Sequence, residues 1–474
     1  MLPDSPCGAG EAASGRWAKL PDWLGTTQGD VLSLYLELLP AEFFTKLREQ
    51  QQRRQNNRVY TDAVVIWLML VQRLADNGTL ETAVLELLRV LPREFWPRPC
   101  KLLQAGAEAL NVSSNTGSYN QARQELPLTI VEHSADQLFR QLIEQVGRPG
   151  PVASRKAFFV DGSTMHVPHN KALAAKYPPG SNQYVKSHWP LLRIVVAHDL
   201  YSGLALRPEW GAMYGKNAVS EQSLLERAMD RLPNGCTFVG DANFGVFSTA
   251  YAGTQRGHLV VLRLTMQRAR YLAKEELRDG MDLRIQWAPS RYDRKSHPEL
   301  PADACVQGRL IVRRVQPSNG KEPFLLAVFT TLLEDEAGVV IELYGLRWNI
   351  ETDLRSLKDT LRLDQLTSTT EQMVAKEIDV AMMAYNLVRA VTWVAAQKAG
   401  LEPRQFSFTR VRNVINAFAP MIAAASDSKQ AQQLFDKMMY YVGQAKLPRR
   451  TKKRPSYPRE VWPKPKKYRN HKKV

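Results

Sequence analysis

Near residue 155 the hydrophobic period of the chain changes, and that change limits the fold more than any other feature. Upstream, apolar residues recur every three or four positions, the helical period; downstream they fall in short continuous runs of the kind that fill a sheet. Ala157-Phe-Phe-Val-Asp161 reads as one strand, residues 163–168 as a second, 191–198 as a third and 203–210 as a fourth, with turn signals such as Asp199-Leu-Tyr-Ser-Gly203 between them. A helix over 219–231, a strand over 236–240, a helix from about Phe247 and a strand over 258–264 follow. Antiparallel strands followed by a β-α-β segment predict an α/β fold, a mixed sheet flanked by helices.

Around this core the chain divides into six further stretches. Residues 1–29 form an N-terminal extension. Residues 30–150 read as an all-helical domain, with 31–54 broken at Pro40, a strongly apolar helix over 60–75, another over 79–90, and helices reaching residue 146 after a polar loop at 111–117. Arg123, following that loop, could reach phosphate. The sheet core occupies 151–264, and a β-rich insertion covers 265–333, with strands over 283–287, 309–315 and 324–331. A second part of the core (334–400), C-terminal helices (401–445) and a basic tail (446–474) complete the chain.

The 474 residues carry 64 Lys and Arg against 47 Asp and Glu, a net charge of +17, which points to a polyanionic partner. Residues 446–474 alone hold 13 basic residues against one acid, Glu460, and include five prolines. Such a tail cannot hold a regular helix and reads as an arm that releases counterions from nucleic acid. Four cysteines without paired spacing exclude a zinc ribbon and a disulfide scaffold. The sequence has no Gly-rich Walker-type loop, so a nucleotide cofactor is not expected. Apolar runs are too short or too interrupted to cross a bilayer, 380–396 by Asn386 and Arg389; a cytoplasmic protein away from membranes is the expectation.

Two of the apolar runs end in acids, Phe158-Phe-Val-Asp161 and Phe238-Val-Gly-Asp241. Aspartate is depleted in strands, and adjacent strands can bring two such carboxylates together at one edge of a sheet. Like charges that close raise one pKa sharply unless a cation intervenes, and Mg²⁺ or Mn²⁺ prefers oxygen ligands of this kind. Each aspartate alone is better explained as a cap of a turn or helix. Asp199 also ends an apolar run but opens the turn closed by Gly203, which ranks it below Asp161. His166 and His169 lack further ligands at a convincing spacing.

The third element is Tyr344-Gly-Leu-Arg347-Trp-Asn-Ile-Glu351-Thr-Asp-Leu-Arg355-Ser-Leu-Lys358. At about 100° per residue, Tyr344, Arg347, Glu351, Arg355 and Lys358 fall within roughly 80° of arc on one helical face. Leucines and Ile350 line the adjoining arc, giving a buried face beside a charged one. Glu351 can supply a third carboxylate from that face.

Tyr344-x2-Arg347-x3-Glu351-x6-Lys358 resembles the Y-R-E-K signature of DDE transposases of the insertion-sequence-four family. Asp161-Gly-Ser-Thr and Asp241-Ala-Asn-Phe244 resemble that family's two aspartate motifs, in the expected order. The β-rich stretch before Glu351 resembles its insertion, and the helical N-terminal region is similar in character to its DNA-end-binding region. The resemblance implies a ribonuclease-H-like fold in which Asp161, Asp241 and Glu351 are catalytic and hold two Mg²⁺ ions, with Mn²⁺ able to substitute. Tyr344, Arg347 and Lys358 would bind DNA. Terminal inverted repeats and target DNA are the implied partners, in a synaptic complex of a homodimer, with cleavage through a hairpin intermediate. The strand before the signature lacks the Trp that related enzymes stack on a flipped base and offers Phe324, with Trp287 and Trp348 nearby. A catalytically silent DNA-binding relative and a ribonuclease-H-like nuclease without strand transfer are the alternatives.

Overall fold

The computed structural model describes residues 31–52, 59–76, 78–89, 113–147, 156–181, 186–316, 322–364 and 366–447. The N-terminal extension and nearly all of the basic tail lie outside these residues, as do Cys7 and Cys100. Among the described residues nine strands form one sheet: β1 (Ala157–His166), β2 (Pro179–Ser181), β3 (Lys186–Asp199), β4 (Glu209–Ala212), β5 (Thr237–Gly240), β6 (Leu259–Arg263), β7 (Asp282–Trp287), β8 (Val306–Val315) and β9 (Phe324–Thr330). Their order is β2-β3-β1-β5-β6-β9-β8-β7, with β4 on β3. β1, β5 and β6 run parallel and the other pairings are antiparallel. The sheet is mixed and flanked by helices, as the sequence predicts.

The strands differ from the sequence reading in three places, the first being 203–210, read as one strand, of which Ala205 makes an isolated bridge to His198 and β4 begins only at Glu209. Residues 157–168, read as two strands, form one strand through Asp161, because antiparallel β3 stays paired from Phe158↔Asp199 to His166↔Leu191. The β-rich insertion has no sheet of its own: β9 pairs with β6, and β8 and β7 follow outward. Its strands therefore lengthen the one mixed sheet.

Alternation along the strands builds two cores. Phe158, Phe238 and Val260 join the larger one, while Phe159, Val239 and Val261 face the other side with Val340, Leu343 and Ile350. Burying a side chain such as Phe159 stabilises by about 1.5–3 kcal/mol. The helix Glu221–Met229, started by the Ser220 side chain accepting from the Ser223 N–H, lies on the first face against β3. On the second face lie the helices Ala337–Gly345 and Trp348–Arg355.

The helix Glu371–Lys398 is the axis of the molecule. It is capped by Thr370 and is buried continuously from Met373 to Ala396. The N-terminal helices Asp62–Leu74 and Leu128–Gln145 pack on it, as does Phe408–Ala423. Among the described residues it is the one helix long and apolar enough to cross a membrane, and its apolar window lies wholly inside the protein.

Candidate active site

Parallel β1 and β5 pair Phe158 with Phe238 and Phe159 with Val239. Asp161 and Asp241 each stand two residues beyond that last pair, so the register that packs the aromatic core also sets the two carboxylates at equal height. With a period of two, Asp161 shares the face of Phe159, toward the helix Trp348–Arg355. Asp161 Oδ1 accepts the Gly162 N–H at 2.8 Å, and Asp241 Oδ1 accepts the Asn243 N–H at 2.9 Å. Burial first and the Asp241 charge second push the Asp161 carboxyl up to about 6, with Glu221 adding to the rise and the Gly162 N–H and Arg347 opposing it.

The Y-R-E-K segment is not one uninterrupted helix. Ala337–Gly345 ends at a turn over Leu346 and Arg347, Trp348–Arg355 follows, and a wide π turn spans Ser356–Thr360. Gly345 weakens the helix at the first break. At the second, the Ser356 hydroxyl donates to the Thr352 carbonyl at 2.9 Å, a back-bond that bends helices, and the Leu361 N–H reaches back five residues to the Ser356 carbonyl. The single face read from the sequence is thereby interrupted at two places. Its cations nevertheless reach β1: Arg347 Nη1 lies 4.0 Å from Asp161 Oδ2, and Lys358 Nζ donates to Ser163 Oγ at 3.3 Å.

Tyr344 is buried, with Arg347 and Arg263 beside its hydroxyl; burial raises its pKa and the arginines oppose that. Glu351 is half-buried on a helix that packs against β1, and Arg355 is exposed. Two residues from Glu351, Asp353 is completely buried. Arg389 Nη2 donates to one of its oxygens and Arg404 Nη1 to the other, while His198 Nδ1 is 3.7 Å away. Arg404 also donates to the Leu200 and Asp199 carbonyls at 3.1 and 2.7 Å. This cluster ties the signature helix to the axial helix and to the end of β3.

The structure also separates functional readings from structural ones. Asp199 accepts the Ser202 N–H and hydroxyl at 2.8 and 2.7 Å inside the turn before Gly203, whose φ is +77°; its turn role stands. His169 stacks on His188 at 4.2 Å. Trp287 is core, packed edge-on against Phe247 and Phe329, whereas Phe324 is exposed with Arg263 over its ring. Arg123 is buried against Glu377 and is no surface phosphate contact.

One residue escaped sequence reasoning. Glu221 opens the helix Glu221–Met229, where an acid is ordinarily explained by the helix dipole. Folding brings its carboxylate against Gly162, on the sheet face opposite the Asp161 side chain, and Asn243 Nδ2 donates to it. No spacing in the sequence announces that contact.

The donor chemistry at this edge suits a hard divalent cation: carboxylates gathered at a strand end, one with its pKa raised by burial and by its neighbour. Among the described residues no three His, Cys, Asp or Glu side chains stand in a ready-made metal cluster. Asp161 and Asp241 are brought together; Glu351 lies on the adjoining helix without completing a set of three.

The family model for the transposase DDE domain matches residues 153–387, the stretch that holds both aspartates and the whole Y-R-E-K segment. The chain is a DDE transposase, an enzyme of DNA recombination. The transposase InsG for insertion sequence element IS4 of Escherichia coli (strain K12) is 26% identical over 317 residues, covering 65% of this chain and 68% of that protein. The chain belongs to the IS4 family. A piggyBac transposase synaptic complex with hairpin DNA aligns with 86% of this chain and 85% of its own, at 10% identity and a TM-score of 0.41, a likeness that carries no argument.

Proposed function

We propose that this transposase binds the terminal inverted repeats of its element, cleaves the DNA ends through a hairpin and joins them to target DNA. The observation that supports the reading is the matched placement of Asp161 on β1 and Asp241 one residue past the end of parallel β5, with Arg347 4.0 Å from Asp161. The strand order β4-β3-β1-β5-β6, antiparallel on one side of β1 and parallel on the other, supports a ribonuclease-H-like core.

Asp161, Asp241 and Glu351 would hold two Mg²⁺ ions, or Mn²⁺ in their place. Such ions supply activation of the attacking oxygen and stabilisation of the leaving one in an in-line displacement at phosphorus. Arg347 holds a strand phosphate next to Asp161, and Lys358, beside Ser163, holds the backbone further along β1. Tyr344 braces this edge from beneath, near Arg347. The helical region 30–150 reads as the DNA-end-binding domain and the tail 446–474 as an electrostatic arm. Two ends handled together call for a homodimer in the synaptic complex, acting in the cytoplasm without a nucleotide cofactor.

The test is a labelled duplex carrying the element's terminal repeat, incubated with Mg²⁺ or Mn²⁺ and either wild type or Glu351→Gln. Cleaved and joined products from wild type, with end binding and no chemistry from the variant, are expected. Cuts that are never joined would make the protein a nuclease, and binding without cuts a silent relative.

A further inference from the structure

The chain that follows the signature forms one wall of a cavity of about 910 Å³. The opposite wall comes from the helices Asp62–Leu74 and Gly117–Glu125, so the cavity lies where the N-terminal helices meet the start of the axial helix. Its size is that of a small-ligand site. Four cations line it, Arg73, Arg123, Arg362 and Lys376, against two acids, Glu371 and Glu377.

Those two acids do not match the four cations. Glu371 turns to Lys176, outside the lining, with both oxygens 2.6 Å from Nζ, and accepts from the Tyr177 hydroxyl at 3.0 Å. Glu377 meets Arg73 Nη2 at 3.0 Å and Arg123 Nη2 at 3.7 Å, and accepts from Thr367 and Ser368. Lys376 is buried, yet its Nζ donates to the neutral carbonyls of Arg123 and Gln124, at 2.9 and 3.0 Å. Burial first and the Arg123 charge second lower its pKa to about 8. Arg123 Nε is buried and has no hydrogen-bond partner among the described residues. A buried donor without an acceptor, among cations that outnumber their counter-charges, suits an anion. The first turn of the axial helix, where negative charge is favourable, lies in the same wall through Glu371, Gln372 and Met373.

The cavity continues a line of cations along β1. Arg347 stands at Asp161 and Lys358 at Ser163; beyond the strand, Asn170 Nδ2 donates to the carbonyl of Thr369, in the cavity wall, at 2.5 Å. Arg362, four residues past Lys358, has a left-handed backbone with φ +53°, uncommon for a residue with a side chain, and its carbonyl accepts Arg73 Nη1 at 3.4 Å.

We propose that this cavity is an oxyanion site that takes a phosphate group of the DNA strand running past Lys358, with Arg362 at its rim and Lys376 and Arg123 inside. The oxyanion chemistry stands on the cavity alone; the choice of DNA as its source rests on the transposase reading.

The experiment is a calorimetric titration of the full-length protein with inorganic pyrophosphate, beside fluorescence anisotropy of a labelled terminal-repeat duplex over a range of salt. Arg362→Gln removes the charge of a half-buried side chain. Thr369→Glu adds a carboxylate at an exposed position and leaves every cation in place; an acid there is favourable for the helix that follows. Both variants should melt within a few degrees of wild type. Each should weaken pyrophosphate binding by about tenfold to a hundredfold and flatten the salt dependence of duplex binding by about one phosphate contact. The basic tail is common to all three proteins and does not enter the comparison. Wild-type pyrophosphate affinity in both variants, with terminal-repeat DNA still cleaved by wild type, would overturn the site and leave the transposase reading intact. Weakened pyrophosphate with an unchanged salt slope would overturn DNA as the source and make the ligand a free phosphate compound. No DNA cleavage by wild type, with pyrophosphate weakened in both variants, would overturn the transposase reading and support the oxyanion site.

Discussion

Glu351 and Asp353 leave one helix two residues apart, roughly 200° around its axis, and meet opposite environments. Asp353 is sealed inside the protein, with two arginines and a histidine around it. Its carboxyl is held below the ordinary range: burial pushes it up, and Arg404, Arg389 and His198 outweigh that. Glu351 is half-buried on a helix that packs against β1, the strand of Asp161. The difference separates an acid whose charge is matched inside the fold, and so fastens a helix, from one to which the proposed function gives a cation to hold.

The comparison can be broken most severely at the chemistry. Asp241→Asn and Glu351→Gln should abolish strand cleavage in a gel assay while melting within a few degrees of wild type. A collapse of either fold would mean that these acids are fasteners like Asp353. Next in size is Asp353→Ala, which strands Arg389 and Arg404 without their counter-charge and should cost about 3–5 kcal/mol in a denaturant titration. A loss under 1 kcal/mol would show that the buried cluster is not what holds the signature helix.

A smaller effect has a definite sign with pH. Because the Asp161 carboxyl is raised to about 6 in the fold from about 3.9 in an unfolded chain, the folded protein binds the extra proton between those values. Stability therefore falls as pH rises through that window. In metal-free protein, Asp161→Asn should be more stable than wild type at pH 8, by roughly 1–2 kcal/mol after allowance for partial exposure. The gain should vanish near pH 4, as read by chemical denaturation at both pH values. Smallest is Lys358→Ala, which should lower end affinity less than tenfold and flatten the salt dependence by about one phosphate contact. An unchanged slope would place Lys358 away from the DNA backbone.

Much of the sheet was legible because short apolar runs bounded by turn residues leave few options. The run 157–160, the strand at 237–240 and the helix 371–398 fell where hydrophobic period and capping residues put them. The aspartates were legible because acids at the ends of buried runs are costly without a purpose. What escaped depends on tertiary contact. Glu221 looks like any acid in the first turn of a helix until Gly162 comes to lie beneath it, and Asp353 looks like part of a polar stripe until Arg389 and Arg404 arrive from residues 36 and 51 positions away. The two breaks in the signature segment were invisible for a related reason: the back-bond of Ser356 to Thr352 is a choice between two acceptable geometries, made by packing and not by composition.

The shared register of β1 and β5 has a consequence for how such a gene can change. Loops joining the strands can grow or shrink, since the closure cost of a longer loop rises only slowly. A single codon gained or lost between Phe159 and Asp161, or between Val239 and Asp241, would shift one carboxylate by about 3.3 Å along its strand and turn it to the other side of the sheet. Within this enzyme, insertions and deletions should therefore accumulate freely in the connections, while the one-residue spacers Val160 and Gly240, between the last strand pair and the acids, keep their length.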